Sequence, residues 1–180
     1  MVEAKVSRKD KAIFFDRDGV LNETFVLKGK PYAPRKLEDF KIKDSVFEIL
    51  NKIINLNYYI FVITNQPDVG DGLVEKKIVE KMHKKLKNLL PIEEIFVCYH
   101  SKNNYCDCRK PKTGLLKKAK LNYKFNERKS YLVGDRFTDI KAGNSFNLNT
   151  ILLGNGYDES PISKPDYQID ELLELNKIIF

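Results

Sequence analysis

Two carboxylates one residue apart, Asp16 and Asp18, follow directly on the apolar run Ala12-Ile13-Phe14-Phe15 and are followed in turn by Gly19. A short apolar, β-prone run reads as a buried strand. Ligands of an open parallel sheet bind beyond the carboxyl ends of its strands, which is where this pair falls. Two acids held so close repel and shift each other's ionisation. A hard dication relieves that repulsion, and oxygen ligands of this kind suit magnesium. On its own the pair could equally close a strand and open a turn, as aspartate often does.

Four further polar residues belong to the same edge. Thr64 and Asn65 end the apolar run Tyr58–Ile63, Asp135 follows Tyr131–Gly134, and Lys110 comes a loop after Ile95-Phe96-Val97. Alone, Thr64 is an ordinary β-branched strand residue and Lys110 an ordinary solvated lysine. Together the carboxylates, the hydroxyl, the ammonium and the downstream acid are the inventory of phosphoryl transfer. A metal neutralises the phosphate, donors hold its oxygens, and a nucleophile stands in line with the leaving group.

The chain has 3 cysteines, all in one stretch, as Cys98-Tyr99-His100 and Cys106-Asp107-Cys108. Side chains alternate along an extended segment, so each pair points its two ligands the same way. Facing pairs would form a closed tetrahedral Cys₃His site of the structural zinc type. Disulfides are the competing reading, and the expected compartment argues against them. No stretch approaches the ~20 apolar residues of a membrane span. Met1–Lys5 lacks the apolar core of a secretory leader, so the expected location is the cytoplasm.

These groups need a scaffold. A length of 180 residues with 42% hydrophobic residues suits one domain, expected over 1–180, with a core of its own. Helical spacing marks Val46, Ile49, Leu50, Ile53 and Ile54, with Asp44 or Ser45 as cap. A second helix runs from Val74 to Leu90, with Ile78, Met82, Leu86 and Leu90 as its apolar stripe. Its lysines, with His83 among them, are expected at the surface. Thr113 is expected to cap a third helix, and Asp139–Phe146 forms a fourth. The stretch 22–40 has no helical period and leaves the presumed site directly, so it reads as a substrate-facing loop. Strands alternating with helices imply an α/β fold with a mostly parallel sheet covered on both faces. The net charge of +7 suits either nucleic acid or small polyanions. Much of it falls on the one amphipathic helix, and no interleaving of aromatic and basic residues near the site suggests base stacking.

The chain resembles the haloacid dehalogenase-like phosphatases in four motifs: Asp16-Arg17-Asp18-Gly19-Val20-Leu21, Val62-Ile63-Thr64-Asn65-Gln66, Arg109-Lys110-Pro111 and Val133-Gly134-Asp135-Arg136-Phe137-Thr138-Asp139. The resemblance implies a Rossmann-like three-layer sandwich without a large cap. It implies Asp16 as the nucleophile that carries phosphate and Asp18 as general acid, then base. Magnesium would be held by the Asp16 side chain, the Asp18 backbone carbonyl and Asp135. Thr64, Asn65 and Lys110 would grip the phosphate, with Asp139 supporting the metal side or orienting Lys110.

The cysteine loop joined to Arg109-Lys110-Pro111 is similar to that of phosphatases acting on D-glycero-D-manno-heptose 1,7-bisphosphate and of their relatives, the histidinol-phosphate phosphatases. Thr64-Asn65-Gln66-Pro67 and the short chain favour the heptose group. By that resemblance Arg109 touches the substrate beyond the reacting phosphate, the partner is a small phosphorylated sugar, and lack of a cap suits a monomer. Arg136 and Asp71 depart from the lysine and arginine usual in that group. The rival readings are histidinol phosphate, 3′-phosphate ends of polynucleotides, and a non-catalytic phosphosugar-binding protein. Two intact acids argue against the last, because a binder needs no nucleophile.

Overall fold

The computed structural model describes residues 9–157 and 159–180. In chain order its elements are β1 (Lys11–Phe15), β2 (Phe25–Leu27), β3 (Lys30–Tyr32), α1 (Asp44–Ile54), β4 (Tyr58–Asn65), the single turn α2 (Pro67–Gly70), α3 (Lys76–Leu89), β5 (Glu94–Cys98), α4 (Gly114–Asn122), β6 (Tyr131–Gly134), α5 (Phe137–Asn144), β7 (Asn149–Leu153), β8 (Tyr167–Ile169) and α6 (Asn176–Ile179).

Six strands form one sheet in the order β5-β4-β1-β6-β7-β8, and every pairing in it is parallel. β1 lies at its centre because it is buried on both faces. Successive side chains of a strand point to opposite faces. Ile13 and Phe15 therefore enter one core with Val46, Ile49 and Ile53 of α1 and Met82 and Leu86 of α3. Ala12 and Phe14 enter the other core with Leu115, Leu116 and Ala119 of α4 and Ala142 of α5. Phe15 is in register with Val62 of β4 and Val133 of β6, so the residues that follow these strands emerge side by side at one edge.

The structure differs from the sequence reading at several points. The stretch 22–40 contains the antiparallel hairpin β2–β3, whose turn residues Lys28 (φ 49°) and Gly29 (φ 69°) are both left-handed. Such a turn matches the twist of a two-residue hairpin, and three-residue strands are too short to show a period. β8 was likewise not legible, being three residues long. Helix α1 starts one residue earlier than expected, with Lys43 as N-cap and Asp44 in the first turn, where a carboxylate meets the positive end of the helix dipole. Thr113 is the N-cap of α4, but its side chain makes no capping bond.

The buried face of α3 is Val79, Met82, His83 and Leu86, with Ile78 only partly buried. Met82, Leu86 and Leu90 of the expected stripe are buried, Ile78 packs against the same core, and Val79 and His83 widen the stripe on one side. His83, expected among the solvated lysines, is 8% exposed and faces inward.

Candidate active site

Asp16 follows β1, and its backbone N–H donates to the Val133 carbonyl at 2.9 Å, so β6 holds it. Asp135 follows β6. Asp139 sits in the first turn of α5, where Oδ2 accepts from the Arg136 backbone N–H at 3.2 Å. Carboxylate oxygens of Asp16, Asp135 and Asp139 lie within 4.8 Å of one another, and all three residues are buried. Lys110 is also buried. Its Nζ lies 2.8 Å from Asp16 Oδ1 and 2.6 Å from Asp139 Oδ1, and donates to the Ile63 carbonyl at 2.8 Å.

One ammonium does not balance three buried acids. Burial pushes Asp16 up to about 6 even though Lys110 opposes it. Burial and the charges of Asp16 and Asp139 raise Asp135 well above the carboxylate range. Burial alone would lower Lys110, but Asp139 and Asp16 outweigh it and raise the ammonium. The group fits a divalent cation on two further grounds. Its donors are hard oxygens, and Asp135 Oδ1 is buried without a hydrogen-bond partner among the described residues.

The other oxygen of Asp135, Oδ2, accepts from the Tyr157 hydroxyl at 2.6 Å. Gly19, at φ +89°, passes directly beside it, and a Cβ there would overlap Asp135 Oδ2. Neither contact was anticipated. Tyr157 lies in a loop with no motif around it, and Gly19 reads from sequence only as a turn residue.

The Asp18 carboxylate is not part of the acid cluster. Both its oxygens face the guanidinium of the buried Arg17, with Nη2 at 2.8 and 2.9 Å. Asn22 Nδ2 donates to it at 3.0 Å and Gln66 Nε2 at 2.6 Å. Gln66 Nε2 also donates to Thr64 Oγ1 at 2.8 Å, linking the general-acid candidate to the hydroxyl expected on the phosphate.

Two residues expected at the substrate, Asn65 and Arg109, have backbone partners in this structure, and Asn65 also lines the cavity described below. The side chain of Asn65 is engaged with the backbone of Lys110, and Arg109 is turned onto the carbonyls of His100 and Ser101. In both cases a backbone partner a few ångströms away satisfies the side chain, something spacing along the chain does not reveal.

Asp16, Asp18, Asn65, Lys110 and Asp139 line a cavity of about 610 Å³ whose outer wall includes Lys30, Arg35, Lys102, Arg136 and Tyr32. Arg35 donates to Asp68 at 2.7 Å and Arg136 to Glu159 at 2.7 Å. Lys30 and Lys102 have no ion-pair partner among the described residues. The two departures noted above are both absorbed within this wall: Arg136 by Glu159, and Asp71 by the Ser101 hydroxyl, which donates to it.

Beside the cavity, Cys98, His100, Cys106 and Cys108 bring their ligand atoms within 4.8 Å of one another. Cys98 Sγ is 3.8 Å from Cys106 Sγ and 3.5 Å from His100 Nδ1, and His100 Nδ1 is 3.2 Å from Cys108 Sγ. A tetrahedron with metal–sulfur arms of 2.3 Å has edges of about 3.8 Å, so the spacing fits a zinc ion at the centre.

A parallel sheet with helices on both faces, an Asp-x-Asp at the end of its central strand, and a lysine clamped between two acids define a haloacid dehalogenase-like phosphatase. The family model for polynucleotide kinase 3 phosphatase matches residues 11–150. D-glycero-alpha-D-manno-heptose-1,7-bisphosphate 7-phosphatase of Campylobacter jejuni is 36% identical over 152 residues, covering 82% of this chain and 84% of the relative. Histidine biosynthesis bifunctional protein HisB of Buchnera aphidicola is 31% identical over 148 residues, covering 79% of this chain but 41% of that protein. Among solved structures, D,D-heptose 1,7-bisphosphate phosphatase of B. bronchiseptica, complexed with magnesium and phosphate, superposes with a TM-score of 0.80 at 18% identity, over 94% of this chain and 97% of that one. The chain belongs to the family of heptose-bisphosphate and histidinol-phosphate phosphatases, which are phosphoric monoester hydrolases.

Proposed function

We propose that the chain removes the 7-phosphate of D-glycero-D-manno-heptose 1,7-bisphosphate, with magnesium at the acid cluster and a covalent phosphate on Asp16. The observation that carries this reading is the position of Lys110, whose Nζ lies 2.8 Å from Asp16 and 2.6 Å from Asp139 at the wall of the cavity. An attacking carboxylate needs a cation beside it that also meets the phosphoryl oxygens as charge builds on them.

In the first half-reaction Asp16 forms a bond to phosphorus, the ester P–O bond breaks, and the departing oxygen takes a proton from Asp18. In the second, Asp18 takes a proton from water, the water oxygen bonds to phosphorus, and the bond to Asp16 breaks. Inorganic phosphate leaves and both acids return to their starting state. Asp16, Asp135 and the Asp18 backbone carbonyl would hold the magnesium, which supplies charge neutralisation for the phosphoryl group. Thr64 and Lys110 hold phosphate oxygens. Asp139 orients Lys110, and Asn65 fixes its backbone. Zinc on Cys98, His100, Cys106 and Cys108 holds the loop that leads into Arg109 and Lys110. With every position filled by protein, it has no open position for chemistry.

The cavity is of the size that takes small metabolites, and Lys30 and Lys102 on its wall suit a second anionic group. Tyr32 is the one aromatic residue on that wall among the described residues, which leaves little on which to stack a chain of bases. No helix among the described residues is long and apolar enough to cross a membrane, in keeping with action on a cytoplasmic phosphosugar.

Phosphate release from heptose 1,7-bisphosphate, histidinol phosphate and a 3′-phosphorylated oligonucleotide, compared by kcat/KM, tests the reading. A preference for the heptose of at least tenfold is expected. A preference for either rival would overturn the substrate assignment and leave the chemistry standing.

A further inference from the structure

Arg17 is fully buried and stands one residue from the nucleophile, yet the reaction just described gives it no part. A guanidinium has donors on three nitrogens and no lone pair to accept with. One edge faces Asp18: Nε lies 3.1 Å from Oδ1, and Nη2 lies 2.8 and 2.9 Å from the two oxygens. The outer nitrogen, Nη1, lies 3.0 Å from Nε2 of His83. Because the guanidinium can only donate, Nε2 of His83 accepts and the imidazole is neutral, with its proton on Nδ1. Burial, and after it the charge of Arg17, hold His83 down at about 3, in keeping with that tautomer. The Phe40 ring lies 5.4 Å from the guanidinium carbon and closes one face.

His83 is therefore the group against which the guanidinium is braced. Planar fork-to-fork pairing of arginine with a carboxylate is sensitive to rotation of either plane. Arg17 has three points of attachment to Asp18 but only one, on the far side, that resists turning about its own axis. It comes from α3, 66 residues away in the chain, on the one inward position that interrupts that helix's apolar stripe.

We propose that His83 is a positioning residue for proton transfer by Asp18, acting through Arg17. The proposal rests on the acid–base assignment of Asp18 made above, and its test separates the two.

The single-turnover rate of phosphoenzyme formation is measured for wild type, His83→Leu, His83→Met and His83→Gln. The substrates are an alkyl phosphate, whose leaving oxygen needs a proton, and 4-nitrophenyl phosphate, whose leaving group does not. The rate from the alkyl ester should fall about tenfold in the leucine and methionine variants with KM changed less than twofold, a barrier increase of about 1.4 kcal/mol. The nitrophenyl ester should be nearly unaffected, and His83→Gln, which restores an acceptor oxygen, should recover most of the loss. Retention of the alkyl rate, or equal loss on both esters without recovery by glutamine, would overturn the proposal. Asp18→Asn is the control for the assignment beneath it: an equal loss on both esters there would remove Asp18 as the acid, and the role of His83 with it. The ¹⁵N chemical shifts of His83 in the wild-type protein need no folded variant. An unprotonated Nε2 supports the proposal, and a protonated one overturns it.

Discussion

Asn65 and Lys110 exchange two hydrogen bonds: Asn65 Nδ2 donates to the Lys110 carbonyl at 3.1 Å, and the Lys110 backbone N–H donates to Asn65 Oδ1 at 3.1 Å. A strand end thus carries the loop whose lysine faces the nucleophile. Each bond contributes about 0.5–1.5 kcal/mol, so Asn65→Ala should lower stability by about 1–3 kcal/mol in denaturant titrations. It should lower kcat by at least tenfold, because a shift of about 1 Å in a positioning element is enough to cost that much or more. An Asn65→Ala enzyme with unchanged kcat would show that the pairing does not set the lysine.

Asp16→Asn should reduce turnover by more than about a thousandfold, since an amide is a poor nucleophile, while leaving the melting temperature no lower in the absence of divalent ions. The reason is visible in the pH dependence expected of the wild type. Burial raises Asp16 to about 6 in the folded state, above its ordinary value of 3.8. The folded state therefore binds more protons than the unfolded chain between these two values. The contribution of this group to stability is fully present below about 4 and is lost as pH rises through about 6. Magnesium favours the ionised form, so calorimetric melts from pH 5 to 7.5 should fall without magnesium and flatten with it. Parallel slopes in the two series would contradict this account.

Gly19→Ala should disable the metal site without touching a ligand. The position has φ +89° and an added Cβ would overlap Asp135 Oδ2. A left-handed residue other than glycine costs about 1–2 kcal/mol, and the clash must move Asp135 or the turn. Magnesium titration followed by thermal shift should show weakened binding by at least tenfold. Wild-type affinity in Gly19→Ala would mean that the acid cluster is not where the ion sits.

Metal analysis of protein purified without added zinc should give about one zinc per chain, and Cys106→Ser should lose it. With the loop untied, the carbonyls of His100 and Ser101 no longer hold Arg109. KM should then rise more than kcat falls. Full metal content in Cys106→Ser would show that this sulfur is not a ligand.

Much of this was readable from residue order. The buried strand before Asp16, the strand ends at Thr64 and Asp135, and the two Cys-x-His and Cys-x-Cys pairs are local features, set by alternation and spacing within a few residues. The stripe Met82, Leu86 and Leu90 of α3 is buried as expected, whereas the burial of Val79 and His83 beside it was not legible. A run dense in lysine leaves its apolar stripe underdetermined, and His83 is apolar in packing but not in type.

By itself the amino-acid sequence determined that a parallel sheet would form, that Asp16, Asp18, Lys110 and Asp135 would come from the ends of neighbouring strands or the loops beyond them, and that four sulfur and nitrogen ligands would lie close together in the chain, although Cys98 proves to be the last residue of β5 and not part of the loop. The tertiary structure alone decided how those groups are held: Asp18 on Arg17 and Gln66, Arg17 on His83, Asp135 on Tyr157, the Lys110 backbone on Asn65, and Arg109 on the zinc-loop backbone. The division has a physical cause. Strand ends and ligand spacings follow from backbone geometry over a few residues, whereas a buried polar side chain takes whichever partner the packing of distant elements brings within about 3 Å, and most of those partners lie tens of residues away.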